Sequence, residues 1–314
     1  MDGKSKHFFG KEELSAIEEL FKSGNTYRYK KDGGECEKFE EEFSKKFDFE
    51  KSIQITSGTN AIVAGLMALG VSEGDEVIIP AYTYIATAAA VLSLGAIPVV
   101  VNIDESLTIS LKEIKNSISD RTRVIIPVHM DGYQCDIEEI VKIAKENDLF
   151  VMEDVAQAMG AKFNGKFLGT FGDIGCFSLN KDKILSCGEG GIVATTRKDL
   201  ATKLLCACDH GYNFNPLYKD VVPEEEMFLG HSMRVSDISG AIMRVQLKKL
   251  DKFLIEYRLR KDRYSQAVEK EELTKIKLIK ALDENGECCT SLMLNCSNGK
   301  AALEMSKKLG DQGV

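Results

Sequence analysis

The chain has 314 residues, 44% of them hydrophobic, which is enough to bury one large core and a smaller second domain. Acidic residues outnumber basic residues by 49 to 41, and the formal net charge is −8. Binding to nucleic acid or to an anionic membrane needs clustered Lys and Arg, whereas the basic residues here are scattered among acids. The composition therefore predicts a soluble enzyme and excludes those two partner classes.

The sequence predicts neither a membrane span nor a metal site. The longest apolar-leaning run, residues 81–101, is broken by Thr, Ser, Gly and Pro, which favours a helix and a strand. The N-terminal residues have no apolar signal core, so we expect a cytoplasmic location. The 9 cysteines form no Cys-x-x-Cys pair and have no paired histidine nearby, which predicts reduced thiols and no bound metal.

Helical patterns alternate with short β-rich segments, as in a mostly parallel sheet covered by helices. Phe39, Phe43 and Phe47 recur every fourth residue and predict one apolar face of a helix that begins near Glu35. Seven strands are predicted, at residues 52–56, 76–79, 97–102, 123–128, 149–153, 174–179 and 191–195.

A long amphipathic helix is predicted from Ser236 to about Tyr257, followed by a strand at 290–296 and a helix at 300–309. We interpret this as two domains. The large domain covers residues 1–245, including an N-terminal helical segment, and a partial small α/β domain covers residues 246–314.

Two lysines lie in a polar turn between the last two strands of the large domain. Lys181 and Lys183 precede the glycine-rich segment from Gly188 to Gly191. A lysine in such a loop can present its amine to a carbonyl in a pocket, where desolvation or nearby positive charge keeps the amine neutral. Taken alone, both lysines could equally be solvated loop residues.

Two acids, Glu153 and Asp154, follow the apolar strand at 149–153. Ligands of parallel sheets bind at the carboxyl ends of the strands, and a carboxylate there favours a protonated ring nitrogen. Asp154 could instead cap a helix, and Glu153 competes with it for the role.

The segment from Thr56 to Asn60, TSGTN, lies between a strand and a helix. Free backbone N–H groups and the positive end of the helix dipole predict an anion site there, although such a segment often only caps its helix. An amine that captures a carbonyl, a buried acid and a phosphate-binding turn together predict the cofactor pyridoxal 5'-phosphate.

These motifs, in this order, resemble the DegT/StrS family of pyridoxal-phosphate-dependent sugar aminotransferases. The resemblance implies an α/β fold of fold type I, with a mostly parallel seven-stranded sheet between helices. It covers residues 27–243 and rests on six segments: SGTNA (57–61), PAYTYIAT (80–87), GAIPVVVNID (95–104), IIPVHMDG (125–132), EDVAQAMGA (153–161) and FSLNKDKILSCGEGG (177–191).

The resemblance assigns the catalytic roles. It implies that Lys183, and not Lys181, holds the aldehyde of the cofactor as an imine. It assigns the ring-nitrogen partner to Asp154, and it implies that Gln157 hydrogen-bonds the phenolic oxygen. His129 is expected to be a hydrogen-bonding residue and not a catalytic base.

The resemblance also assigns the remaining cofactor contacts. Gly58, Thr59 and the Ser178 hydroxyl are expected to bind the phosphate. The aromatic ring that stacks on the cofactor is expected at Tyr84 and not at Tyr82, two positions earlier.

One departure from the family pattern is Ser232, which replaces an Asn that reaches the cofactor phosphate of the neighbouring subunit. Arg234 is retained, so a homodimer with shared active sites is still expected. Leu179 and Asn180 also replace more usual side chains beside the lysine, which would reshape the sugar pocket.

The resemblance implies transfer of an amino group from glutamate or glutamine to a keto group on a nucleotide-linked sugar, a sugar acid or a cyclitol. One alternative is a catalytically impaired or regulatory relative, suggested by the short C-terminus and by Ser232. A second alternative is a sugar dehydratase of the same family. Lys183 argues against it, because those enzymes lack this lysine.

Overall fold

A seven-stranded sheet forms the centre of the computed structural model, which describes residues 9–30, 33–210, 222–270 and 276–311. All seven predicted strands are present, each within a few residues of its expected bounds. The sheet order is β1-β9-β8-β5-β4-β2-β3. Its strands are β1 (Lys51–Ile55), β2 (Glu76–Pro80), β3 (Ile97–Val101), β4 (Thr122–Ile125), β5 (Phe150–Asp154), β8 (Ile174–Ser178) and β9 (Gly191–Thr195).

The sheet is mostly parallel, as expected. Strands β3, β2, β4, β5 and β8 pair in parallel, whereas β9 runs antiparallel to both of its neighbours, β8 and β1. Two small two-stranded sheets lie outside it, formed by β6 (Lys162–Phe163) with β7 (Lys166–Phe167) and by β10 (Ile276–Leu278) with β11 (Leu294–Cys296).

Helices cover both faces of the sheet. The described helices are α1 (Lys11–Lys22), α2 (Glu35–Phe47), α3 (Gly58–Ala68), α4 (Ala86–Ser93), α5 (Leu111–Ser117), α6 (Ile137–Glu146), α7 (Lys198–Cys208), α8 (Asp237–Lys270) and α9 (Gly299–Asp311). One apolar core contains residues of α2, α6 and α8, and the other contains residues of α3, α4 and α7. Within β2, Ile78 joins the first core, whereas Val77 and Ile79 join the second, because successive side chains of a strand alternate between faces.

The predicted aromatic face of α2 packs against the strand that leads to the lysine loop. Phe39, Phe43 and Phe47 are almost fully buried. The ring centroid of Phe43 lies 4.5 Å from that of Phe47 and 5.4 Å from that of Phe177 in β8. The helix therefore supports the hairpin formed by β8 and β9.

The long helix α8 runs through the predicted domain boundary at residues 245 and 246, so the division into domains stays a prediction. Its first half is buried against α1 and α2, where Arg244 pairs with Glu35 at 2.7 Å and with Glu42 at 2.6 Å. The segment after α8 docks on the large domain through a hydrogen bond of 2.8 Å from Gln134 to the carbonyl of Asp283. No helix in the described ranges is long and apolar enough to cross a membrane.

Replacing Phe43 with alanine should lower the free energy of unfolding by about 3–5 kcal/mol, because it leaves a cavity among packed rings. The matched control is Phe21→Ala, since Phe21 is 57% exposed and should change stability by about 0.5 kcal/mol or less. Urea denaturation followed by circular dichroism measures both. Equal losses for the two variants would contradict this description of the core.

Candidate functional site: a lysine loop, a buried acid and an anion turn

Lys183 lies in the connection between the antiparallel strands β8 and β9, and it is half-buried, whereas Lys181 is exposed. The loop is held internally, since the Lys183 amide donates to the carbonyl of Asn180 at 3.0 Å and the Ser186 hydroxyl donates to that of Leu179 at 3.0 Å. Burial lowers the pKa of the Lys183 ammonium, although the nearby acids Asp154, Asp182 and Asp131 oppose the shift. Burial thus favours the neutral amine that a carbonyl nucleophile needs.

The two acids at the end of β5 have different surroundings. Glu153 is fully buried, and its carboxylate accepts hydrogen bonds from the backbone N–H groups of Gly169 at 2.7 Å and of Phe171 and Gly172 at 2.8 Å. His129 lies 3.2 Å away and contacts the same carboxylate. The Glu153 carboxylate therefore holds the loop at residues 169–172. It has no surface exposed to a pocket, because it is fully buried.

His129 is also fully buried, and both of its ring nitrogens are used. Its Nδ1 lies 3.1 Å from the Cys135 amide, which donates to it, so this nitrogen carries no proton. The proton is consequently on Nε2, which donates to Glu153. Neither nitrogen of His129 is available to act on a substrate.

Asp154 is 6% exposed, and its two oxygens accept hydrogen bonds from the Ala156 amide at 3.1 Å and from the Thr87 hydroxyl at 3.2 Å. Burial raises the pKa of this carboxyl, and the hydrogen bonds from Ala156 and Thr87 only partly offset this shift. The ion pairs of the described residues do not include Asp154. A protonated ring nitrogen would supply the missing cation.

Gln157 follows Asp154 by three residues, and its side-chain amide is oriented by contacts with residues 130 and 131. Its Oε1 accepts from the Asp131 amide at 3.0 Å, and its Nε2 lies 3.4 Å from the sulfur of Met130. An amide nitrogen carries two hydrogens, so one N–H remains to donate to a ligand oxygen.

The anion turn is formed where β1, α3 and β8 meet. The Ser57 hydroxyl caps α3 by accepting from the Asn60 amide at 3.1 Å, and the first amides of the helix, at Gly58 and Thr59, have no acceptor within the helix. A Cβ atom at Gly58 would lie 2.8 Å from the Cβ of Ser178, so only glycine fits there. The turn thus brings free N–H groups and the Ser178 hydroxyl to one place, as a phosphate requires.

The predicted stacking ring and the residue two positions before it differ in their surroundings. Tyr84 is 69% exposed, and its stacking role stays a prediction. Tyr82 is half-buried, and its hydroxyl donates to the Asp131 carboxylate at 2.7 Å. Residues 81–83 form bends and not an extended strand, so the contact of Tyr82 with Asp131 depends on the fold of this segment.

Ser232 is exposed on a segment that runs beside the anion turn of its own subunit. The carbonyl of Met233 accepts from the Thr56 amide at 3.1 Å. Arg234 pairs with Asp209 of the same chain at 2.7 Å, and Asp209 also accepts a hydrogen bond from the Tyr29 hydroxyl. The contact of Ser232 with a neighbouring cofactor therefore stays a prediction.

Three residues at the site were not singled out by the sequence: Thr87, Asp131 and Tyr82 in its contact with Asp131. Thr87 comes from the first turn of α4, and only the folded chain brings it to Asp154. The Asp131-Gly132 pair is a turn signal directly after an apolar run, and this pattern could have identified Asp131.

The described arrangement combines a lysine amine whose pKa is lowered by burial, a buried carboxyl and an anion turn. The model of the DegT/DnrJ/EryC1/StrS aminotransferase family matches residues 8–314. The chain belongs to this family. A GDP-perosamine synthase from Escherichia coli O157:H7 is 38% identical to the present chain over 238 residues. The match covers 75% of the present chain and 64% of the synthase. The chain thus spans slightly less than two thirds of the length of that relative.

Solved structures show the same fold. NtdA from Bacillus subtilis with bound cofactor PMP has a TM-score of 0.83 and 30% identity. The match covers 96% of the present chain and 66% of the NtdA chain. An E. coli GDP-4-keto-6-deoxy-D-mannose-3-dehydratase with bound hydrated PLP has a TM-score of 0.83 and 25% identity. The match covers 99% of the present chain and 83% of the dehydratase chain. These similarities confirm the expected fold type I.

Replacing each of the two acids, Glu153 and Asp154, with its neutral amide should have opposite effects on the stability of the protein. Glu153→Gln should lower the free energy of unfolding by about 1–3 kcal/mol, because an NH₂ group would face backbone donors. Asp154→Asn should leave stability near neutral pH unchanged or higher. The pKa of Asp154 is higher in the folded protein than in the unfolded chain, so folding takes up a proton at pH values between the two. The free energy of unfolding of the unaltered protein therefore falls as the pH rises from the ordinary aspartate pKa to the raised one.

Urea unfolding of the cofactor-free protein near neutral pH and at about pH 4 measures these effects. At the lower pH the advantage of Asp154→Asn should shrink, because the carboxyl is then protonated in the folded state and about half protonated in the unfolded state. A strong loss for Asp154→Asn at neutral pH would show that Asp154 has a structural role like that of Glu153.

Proposed function

We propose that this chain is a pyridoxal-phosphate-dependent aminotransferase that moves an amino group from glutamate or glutamine to a keto-sugar. The observation that carries the proposal is the half-buried Lys183 in the β8–β9 loop, whose pKa is lowered by burial in the same site as the buried acid Asp154. The hydrogen-bond donors of the anion turn fit the phosphate of the cofactor. Gly58 is packed against Ser178, which leaves no room for a side chain at this turn.

Each residue would have a distinct task. Gly58, Thr59 and Ser178 would hold the phosphate, and Asp154 would keep the ring nitrogen protonated. When bound, the cofactor supplies an aldehyde carbon that accepts and releases the amino group, and a ring that accepts electrons. The Nζ atom of Lys183 would hold that aldehyde at rest, take up a proton from the amino donor and return it to the keto acceptor.

The acceptor class rests on the family and on the similarity to GDP-perosamine synthase, and a nucleotide-linked sugar, a sugar acid and a cyclitol ketone remain the candidates. Similarity to the dehydratase structure supports a second candidate function. Lys183 favours transamination over dehydration, and it also argues against a relative that only binds the cofactor. The 9 free cysteines, seven of them buried, support a reducing cytoplasmic location.

A homodimer is also part of the proposal, with two sites at the subunit boundary. An apolar surface supports it, formed by α4 and the edge strand β3, where Ile85 is 71%, Leu92 60% and Val100 59% exposed. Apolar side chains exposed near a sheet edge are typical of an interface with a second protein, and in a symmetric dimer that protein is a second copy of the chain.

Borohydride reduction of the cofactor-loaded protein should attach the cofactor to Lys183. Peptide mapping by mass spectrometry identifies the labelled residue, and Lys181→Ala is the control that should leave the label in place. Lys183→Ala should remain folded and lose transamination with glutamate, because the amine that exchanges with the substrate is gone. A label on Lys181, or full activity of Lys183→Ala, would refute the assignment.

The double variant Leu92→Lys/Val100→Lys should shift the protein from dimer to monomer in sedimentation velocity, because two charges would be buried across the interface. Leu303→Lys is the matched control, since Leu303 is 74% exposed on α9 and lies outside this surface. An unaltered protein that sediments as a monomer and still turns over would contradict both the dimer and the shared sites.

A further inference from the structure

Asp131 contributes a carboxylate to the site, and neither the holding of the cofactor nor the proton transfer proposed above uses it. Its backbone amide donates to Gln157, and its charge acts on Lys183 together with that of Asp154. Asp131 therefore contacts Gln157, a residue expected to hold the cofactor, and its charge is close enough to act on Lys183. We look for the role of this carboxylate in substrate binding.

The backbone holds this carboxylate in a fixed position. Asp131 has φ 54° and ψ 19°, a left-handed conformation that Asp tolerates better than most residues. Two contacts hold it there: its N–H donates to Gln157 at 3.0 Å, and its carbonyl accepts from the Thr290 hydroxyl at 3.3 Å. The C-terminal segment thus fixes the turn from outside, while Gln157 fixes it from within the site.

Tyr82 orients the side chain. Its hydroxyl donates to Oδ2 of Asp131 at 2.7 Å, and burial together with this carboxylate raises the pKa of Tyr82 to about 12, so the phenol remains a donor at neutral pH. Among the described residues, no hydrogen bond uses the other oxygen, Oδ1. An ionised carboxylate accepts several hydrogen bonds, so Oδ1 can accept from hydroxyl groups of a ligand.

Tyr82 also lines a groove of about 490 Å³, a size typical of small-molecule sites, and Asp131 adjoins this groove only through its contact with Tyr82. The groove has polar side chains and one acid, with no Lys or Arg in its lining. Its lining residues are Ala81, Tyr82, Asn102, Ile103, Ser110 and Glu113. A carboxylate or phosphate would find no cation there, whereas hydroxyl groups would find acceptors.

We infer that Asp131, oriented by Tyr82, binds hydroxyl groups of the keto acceptor and disfavours an anionic substituent at that position. The part of the acceptor that lies next to Lys183 is accordingly a neutral polyhydroxylated ring or chain, as in a keto-sugar or a cyclitol ketone, and not a sugar acid. This inference rests on the proposed function and narrows its substrate class. Asp131 is a specificity-determining residue and takes no part in the proton transfer.

The test compares two probes that differ in one group: keto-fructose, which is neutral, and keto-gluconate, which carries a carboxylate in its place. Calorimetric titration of the protein loaded with the amine form of the cofactor gives a dissociation constant for each. The unaltered protein should bind keto-fructose at least about tenfold more tightly, because its hydroxyl group can donate to the Asp131 carboxylate, whereas a carboxylate in its place would be repelled. In Asp131→Asn this preference should fall to about twofold or less.

Two further variants distinguish direct contact of Asp131 with the substrate from the effect of a negative charge near Lys183. Asp182→Asn removes the same charge near Lys183 without touching Tyr82, and it should keep the preference for keto-fructose. Tyr82→Phe should weaken binding of keto-fructose but still disfavour keto-gluconate, because the carboxylate keeps its charge and loses only its orientation.

Equal loss of preference in Asp182→Asn and Asp131→Asn, or an unchanged preference in Asp131→Asn, would overturn the inference. The proposed function is tested separately by adding glutamate alone and following the cofactor spectrum of the unaltered protein. Failure of that half-reaction refutes the aminotransferase proposal, while the binding comparison still decides the role of Asp131.

Discussion

The buried carboxylate of Glu153 is the interaction on which the site depends. It joins the end of β5 to the loop at residues 169–172 and to His129, so three separate segments meet at one group. A charge without access to water is tolerated only when such donors surround it. Because successive side chains of a strand point to opposite faces, fixing Glu153 directs Asp154 to the other side, towards Thr87.

The antiparallel hairpin of β8 and β9 is the second constraint. In an otherwise parallel sheet, a reversed strand permits a short connection, and that connection carries Lys183. The aromatic rings of α2 pack on Phe177, directly before Ser178, so the same strand supports both the lysine loop and the phosphate turn. Loop residues placed on rigid strands in this way can be positioned precisely.

The C-terminal segment takes part in the site through its contacts with the turn at Asp131. Cys288 and Thr290 pack against Gly132, where a Cβ atom would lie 2.7 Å from each of them. The Thr290 hydroxyl also donates to Asp131. Any movement of this segment relative to the large domain would therefore move the carboxylate that we assign to substrate recognition.

The sequence by itself determined the seven strands, the helix faces and the three motifs, because periodicity and local turn chemistry are encoded over a few neighbouring residues. Residue patterns alone did not decide between Glu153 and Asp154, and only the family resemblance separated them, since adjacent acids differ only in which tertiary contacts they meet. The contact of Tyr82 with Asp131 was not predicted, because the bends at 81–83 depend on packing and not on strand propensity. Thr87 and Asp131 come to the site from other elements, 67 residues before Asp154 in one case and 26 residues before Gln157 in the other. Only the folded sheet brings such distant residues together, because the hydrogen bonds that define their roles are non-local.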